Sequence, residues 1–101
     1  MIQPVSTESV LQNERDELYR KKVLESFFEY GKLKSIPSQR KKERIVLEEI
    51  IKSFEFDKDY TEREVNIIIA DFHDDFCTIR RDMISEGLLE RENMVYRRKK
   101  I

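Results

Sequence analysis

Between Thr78 and Ser85 the sequence reads TIRRDMIS, and helical spacing puts Thr78, Arg81, Asp82 and Ser85 on one side, with Arg80 at the boundary. Those residue types suit the edge of a nucleic-acid groove. An arginine fork bonds guanine at two points, and a threonine reaches a phosphate or a thymine methyl. Farther on, Arg91, Arg97 and Arg98 fall in a stretch patterned like a hairpin, where cations position a domain on phosphates without reading bases. Arg40 and Lys41, with Lys42 and Arg44, load another helix start with positive charge. Charge of that sign opposes the helix macrodipole and suits an anionic partner, although a solvated helix end explains it as well. Asp74, Asp75 and Asp82 work against a polyanion. Each repels phosphate, or pairs with Arg80 and Arg81 as an ordinary helix-surface contact.

His73, Asp74 and Asp75 form the one cluster of metal-ligand types, but adjacent residues on a turn seldom converge as three or four donors. The plainer expectation is that His73 packs or hydrogen-bonds at the turn while an aspartate caps the next helix. A pH-sensing His73 beside Asp74 is the sharper alternative. Cys77 lies one turn from Arg80 and Arg81 near a helix start, a setting that favours a thiolate, against the reading of a quiet, half-buried cysteine. A single cysteine excludes an internal disulfide and a cysteine-based zinc site. With one histidine, no glycine-rich phosphate loop and no nucleophile beside a general base, no catalytic residue, metal or cofactor is expected.

The elements that must position these groups fit into 101 residues, enough for one domain with an extension. Twenty basic residues nearly cancel 21 acidic ones, for a net charge of −1. A free-standing duplex-binding domain often carries a positive excess, because releasing counterions from phosphates drives much of its affinity. The charge is segregated, at about −2 over 1–30, +4 over 31–54, −6 over 55–79 and +3 over 80–101. No apolar run approaches the ~18 residues of a membrane span, and MIQPVSTESV lacks the layout of a leader peptide. A soluble, cytoplasmic protein is expected. Two glycines and two prolines leave room for few loops, so the chain is mostly helix.

After a frayed lead-in over 1–6, the spacing predicts a helix from Ser6 or Thr7 to Tyr30, with Val10, Leu11, Leu18, Val23, Leu24, Phe27 and Phe28 apolar and Gly31 as its stop. That stripe either covers the domain or meets a second copy of itself. Lys32 to Ile36 reads as extended before Pro37, and Ser38 as the cap of a helix over Gln39 to Phe54 that buries Ile45, Val46, Leu47, Ile50, Ile51 and Phe54. Glu55 to Asp59 is an acidic connection leading to a short strand or turn at Tyr60. Thr61 and Glu64 form a capping box for a helix that turns Val65, Ile68, Ile69 and Phe72 inward and ends near His73. Asp74 or Asp75 caps the next helix, with Phe76, Ile79, Met83 and Ile84 apolar and Gly87 as its stop. Two helices joined by so short a link make a helix-turn-helix. Leu88 to Glu92 then pairs with Met94 to Arg98 around Asn93 as a wing, before the basic tail RRKKI.

FFEYGKLKSIP, RKKERIVLEEI, YTEREVN, FHDDF, TIRRDMI, GLLER and VYRR, in this order over residues 27 to 98, resemble the family catalogued as domain of unknown function 2087. Its members occur alone and as C-terminal extensions of ArsR-type winged-helix regulators. TIRRDMISEGLLER is also similar to the recognition helix and following strand of DeoR-type regulators. The resemblance implies a regulatory setting and assigns no reaction. The expected architecture is mainly α with a small antiparallel β wing, a winged helix-turn-helix over 31–101 with an N-terminal helical extension over 1–30. Two functions follow from it. The first is a nucleic-acid-binding module that presents Thr78, Arg80, Arg81, Ser85, Arg91, Arg97, Arg98, Arg40 and Lys41 to double-stranded DNA. The second is a protein-interaction or dimerisation module of the same fold without autonomous DNA binding, its partner being a second copy through the N-terminal helix or a regulatory protein.

Overall fold

A computed structural model describes the backbone of residues 7–100 and the side chains of residues 11–100, so the lead-in, a cap at Ser6 and the Val10 side chain lie outside the described residues. The elements run α1 (Thr7–Phe27), β1 (Phe28–Glu29), β2 (Lys32–Leu33), α2 (Arg40–Ile51), α3 (Glu62–Ala70), α4 (Phe76–Ser85), β3 (Leu89–Glu92) and β4 (Val95–Arg98). β1 pairs antiparallel with β2, and β3 with β4. Tyr60 bridges Tyr96, which ties the segment before α3 to the wing. The topology is that of a winged helix carrying an additional N-terminal helix.

Local chemistry explains most of the boundaries. The Thr61 hydroxyl accepts from the Glu64 N–H and the Glu64 carboxylate accepts from the Thr61 N–H, so α3 starts on a full capping box. Those bonds hold the Glu64 carboxyl below its ordinary range. Asp75 caps α4 by accepting from the Thr78 N–H. At the other end of α4, Gly87 adopts φ 73°, where a side chain is strained. Leu88 N–H then returns to the Met83 carbonyl at 2.9 Å and Gly87 N–H to that of Ile84 at 3.1 Å, a Schellman closure. The core gathers Ile45, Val46, Leu47, Ile50, Ile51 and Phe54 from α2 and its exit, Val65 and Ile69 from α3, Ile79 and Met83 from α4, and Leu88, Leu89 and Tyr96 from the wing.

Three expectations require correction. First, α1 ends at Phe27, not Tyr30. Tyr30 (φ 53°) and Gly31 (φ 75°) form a two-residue turn with both residues left-handed, the geometry whose twist suits a hairpin. The hairpin turns Phe28 edge-on to Phe72 at 6.4 Å, and Leu33 N–H donates to the Phe72 carbonyl at 2.8 Å. Gly31 therefore serves β1 and β2 instead of closing α1. Second, α2 starts at Arg40 on Gln39 with no side-chain cap, so Ser38 does not cap it. It stops at Ile51, and Phe54 is buried from the turn that follows. Third, the wing turn takes both Asn93 and Met94, at φ 50° and 68°, so β4 starts at Val95 instead of Met94, and β3 starts at Leu89 instead of Leu88. Leu88 is taken by the α4 closure.

The apolar residues of α1 lie on two faces. Val23 is buried in the core, and Tyr19, Leu24 and Phe27 pack against it, while Leu11 and Leu18 are exposed. The expected division at residues 30/31 coincides with the first hairpin turn, and Val23, on its N-terminal side, shares the core with α2.

Candidate interface of the helix-turn-helix

Helix α4 has three distinct sides. Ile79 and Met83 are buried in the core. Cys77, Arg81 and Ser85, four residues apart, are exposed in one line, with Thr78 half-buried beside them. Arg80 points instead along the α3 side. Its side chain is 11 % exposed, pairs with Glu62 at 3.0 Å and donates to the Asn66 side-chain oxygen. Arg80 is thus a clamp between the two helices of the motif. Arg81 is left as the cation on the outward line, and among the described residues it has no ion-pair partner. At the turn, the Asp75 N–H donates to His73 Nδ1 at 3.0 Å, so His73 holds the link that precedes the cap. Among the described residues, no three His, Cys, Asp or Glu side chains converge as a metal site requires. Cys77 is exposed, where a half-buried position was the plainer expectation.

The opposite flank of α4 meets the start of α2. Arg40 Nε bonds Glu86 at 3.1 Å, and Arg44 reaches both the Glu86 carboxylate at 3.3 Å and its backbone carbonyl. Lys41 lies over the Tyr19 ring at 4.7 Å. Two of the four cations at the head of α2, Arg40 and Arg44, thus have an anionic partner inside the chain in Glu86.

The wing behaves similarly. Arg97 pairs with Asp59, its Nε at 2.9 Å. Arg98 donates to the Phe54 carbonyl at 3.0 Å, with its guanidinium 3.8 Å from the centre of the Phe56 ring. Arg91 stands 5.7 Å from the centre of the Tyr96 ring and stays exposed. The depression beside the wing, about 270 Å³, is lined by Asp59, Glu90, Glu92, Asn93, Val95 and Arg97, which is three carboxylates to one already paired arginine. Phosphate would be repelled there.

Of the nine predicted contacts, Arg81, Ser85 and Thr78 therefore share one face, with Arg91 and Lys41 exposed elsewhere. Arg80, Arg97, Arg98 and Arg40 are engaged within the fold. Their partners Glu62, Asn66, Asp59 and Glu86 carried no distinguishing signal in the sequence, since each sits on another element.

The model of the family described as "Uncharacterized protein conserved in bacteria (DUF2087)" matches residues 32–98, from β2 through the end of β4. The chain belongs to the DUF2087 family. No curated protein and no solved structure matches it significantly. The DUF2087 match takes in the whole helix-turn-helix and wing and begins after α1.

Within the DUF2087 region one pair was missed by sequence reading. Glu43 of α2 faces Asp82 of α4, and its carboxyl is pushed up to about 7 by burial, by the hydrogen bond and charge of Asp82 and by the charge of Glu86, with Arg40 pulling the other way. Because the folded value lies above the unfolded one, Glu43 contributes stability that is full below about pH 4.5 and lost as pH rises through about 7. Glu43→Gln keeps a donor toward Asp82 and removes the charge. The variant should match the parent near pH 4 and exceed it at pH 8 by on the order of 1 kcal/mol, a figure reduced for solvent screening at this half-buried site. Thermal melts across pH read the difference, and parallel profiles would exclude a raised Glu43 carboxyl.

Proposed function

We propose that this chain is a non-catalytic, cytoplasmic winged-helix module of gene regulation that acts through protein contact and does not grip duplex DNA by itself. The observation that carries the reading is the engagement of Arg80 with Glu62 and Asn66, which withdraws one of the two recognition-helix arginines from a groove. The net charge of −1 and the aspartates at 74 and 75 support it. Low charge leaves little counterion release to drive binding.

Fluorescence anisotropy with a random-sequence duplex tests the proposal. At about 150 mM salt the expected result is no binding up to about 100 µM protein, the weak end of ordinary non-specific affinity. Direct duplex recognition is the second reading, favoured by the exposed line of Arg81 and Ser85. Micromolar binding that falls steeply with salt and is lost in Arg81→Ala would establish that reading and overturn the first.

A further inference from the structure

Arg98 differs from the other half-buried arginines. Arg20, Arg44 and Arg80 meet Glu48, Glu86 and Glu62 at 3.2, 3.3 and 3.0 Å. Arg98 is half-buried as well. Among the described residues it has no carboxylate partner, only the Phe54 carbonyl at 3.0 Å and the face of the Phe56 ring at 3.8 Å. A guanidinium carries five N–H donors, and drawing its charge partly out of water without a counter-charge is unfavourable. The fold places no counter-anion there.

The surroundings of the guanidinium limit which anion suits it. Ile51, Phe56, Leu88, Arg98 and Lys99 line a cavity of about 110 Å³. Ile51 and Leu88 are buried and Phe56 is an exposed ring, so the walls away from the two cations are apolar. At about 30 Å³ for each water-sized atom the space takes roughly four heavy atoms, and it is smaller than the ~150 Å³ that holds a benzene ring. The lining includes no carboxylate, although 21 of the 101 residues are acidic. The Lys99 N–H donates to the Leu88 carbonyl at 3.0 Å, which anchors the second cation at the rim. On the far side of Arg98 and Lys99, Arg97 and Lys100 stand with Asp57 and Glu90, and Lys100 already holds Asp57 at 2.9 Å. Cations therefore prevail on both sides of Arg98.

We propose that this cavity at the root of the wing binds a small branched aliphatic carboxylate, its hydrocarbon between Ile51, Leu88 and Phe56 and its carboxylate on Arg98 and Lys99. A neutral amide of the same shape leaves Arg98 without a counter-charge. A 2-amino acid brings an ammonium toward the same two cations and is repelled. The cavity shares no residue with the outward line of α4, so the site stands whether the module meets protein or duplex. A ligand of about seven heavy atoms binds such a site weakly, with a Kd of about 1 mM.

Amide NMR shifts of the full chain, titrated with sodium isovalerate to about 20 mM at constant ionic strength, test the site at up to about twentyfold above that Kd. The expected result is saturating shifts concentrated at Ile51, Phe56, Leu88 and Lys99. Isovaleramide lacks the charge, leucine adds the ammonium and acetate lacks the hydrocarbon, so each should bind at least about tenfold more weakly. Lys99→Gln should weaken isovalerate about threefold, as for one exposed charge. Arg98→Gln, which keeps a donor for the Phe54 carbonyl, should weaken it about tenfold or more. Absence of saturation overturns the proposal, as do shifts spread over the whole surface, or any of the three comparison compounds matching isovalerate. A folded Arg98→Gln variant with parental affinity overturns it too. If Arg98→Gln unfolds, Lys99→Gln decides, because its side chain is exposed: the threefold loss upholds the site and parental affinity overturns it.

Discussion

Phe54→Ala should lower the unfolding free energy by about 3–5 kcal/mol, the range for emptying an aromatic site in a packed core. The ring is 1 % exposed and meets the Tyr60 ring edge-on at 5.1 Å. The Tyr60 hydroxyl accepts the Glu55 N–H at 2.8 Å, and the Phe54 carbonyl receives Arg98 from the wing. Removing the ring therefore loosens the exit of α2, the Tyr60–Tyr96 bridge and the root of β4 together. For a domain of this size, whose total is about 5–15 kcal/mol, the loss is a large fraction. Urea unfolding reads it, with Phe54→Leu as a control that fills most of the space and loses about half as much or less. A loss under about 1 kcal/mol for the alanine variant would refute the pivotal role of the ring.

Two adjacent arginines should give opposite results. Arg80→Ala should destabilise by about 1–3 kcal/mol, because it deletes charge-assisted bonds to Glu62 and Asn66 that join α3 to α4. Arg81→Ala should stay within about 0.5 kcal/mol of the parent, as expected of an exposed side chain away from such contacts. Denaturant midpoints of the two variants suffice. Equal stabilities would mean that Arg80 does not clamp the motif.

Much of the architecture was legible because its signals are local. The Thr61–Glu64 capping box, the Asp75 cap and the Gly87 stop are each written within a few residues. The buried face of α2 follows from one period of apolar spacing. The first hairpin was not legible, because its strands have two residues each and a left-handed glycine serves equally as a helix stop or in a hairpin turn. What separates the readings is Phe72, 44 residues beyond Phe28, whose ring and carbonyl receive the hairpin.

The candidate interface was less legible still, for an electrostatic reason. A one-dimensional pattern identifies which cations could face outward on a helix, but not which have an anion waiting on another element. Arg97 finds Asp59 and Arg40 finds Glu86 at separations of 38 and 46 residues. Each pairing converts a plausible phosphate contact into a tie within the fold. Arg80 is the clearest instance, since the same periodicity placed it at the boundary and only α3 decided its direction.

The bond from Leu33 to Phe72 has a kinetic consequence. Beside it, Lys32 donates to the Asp71 carbonyl across 39 residues, so the link between α3 and α4 is fastened by chain that precedes α2. Closing so wide a loop is entropically uphill until the intervening helices have collected. The turn of the helix-turn-helix is thus fastened by distant chain as well as by local contacts. The expected result is that this turn locks late, after α2 has brought the two ends of the loop together, which φ-values near zero for the contacts of Leu33 would show and values near one would refute.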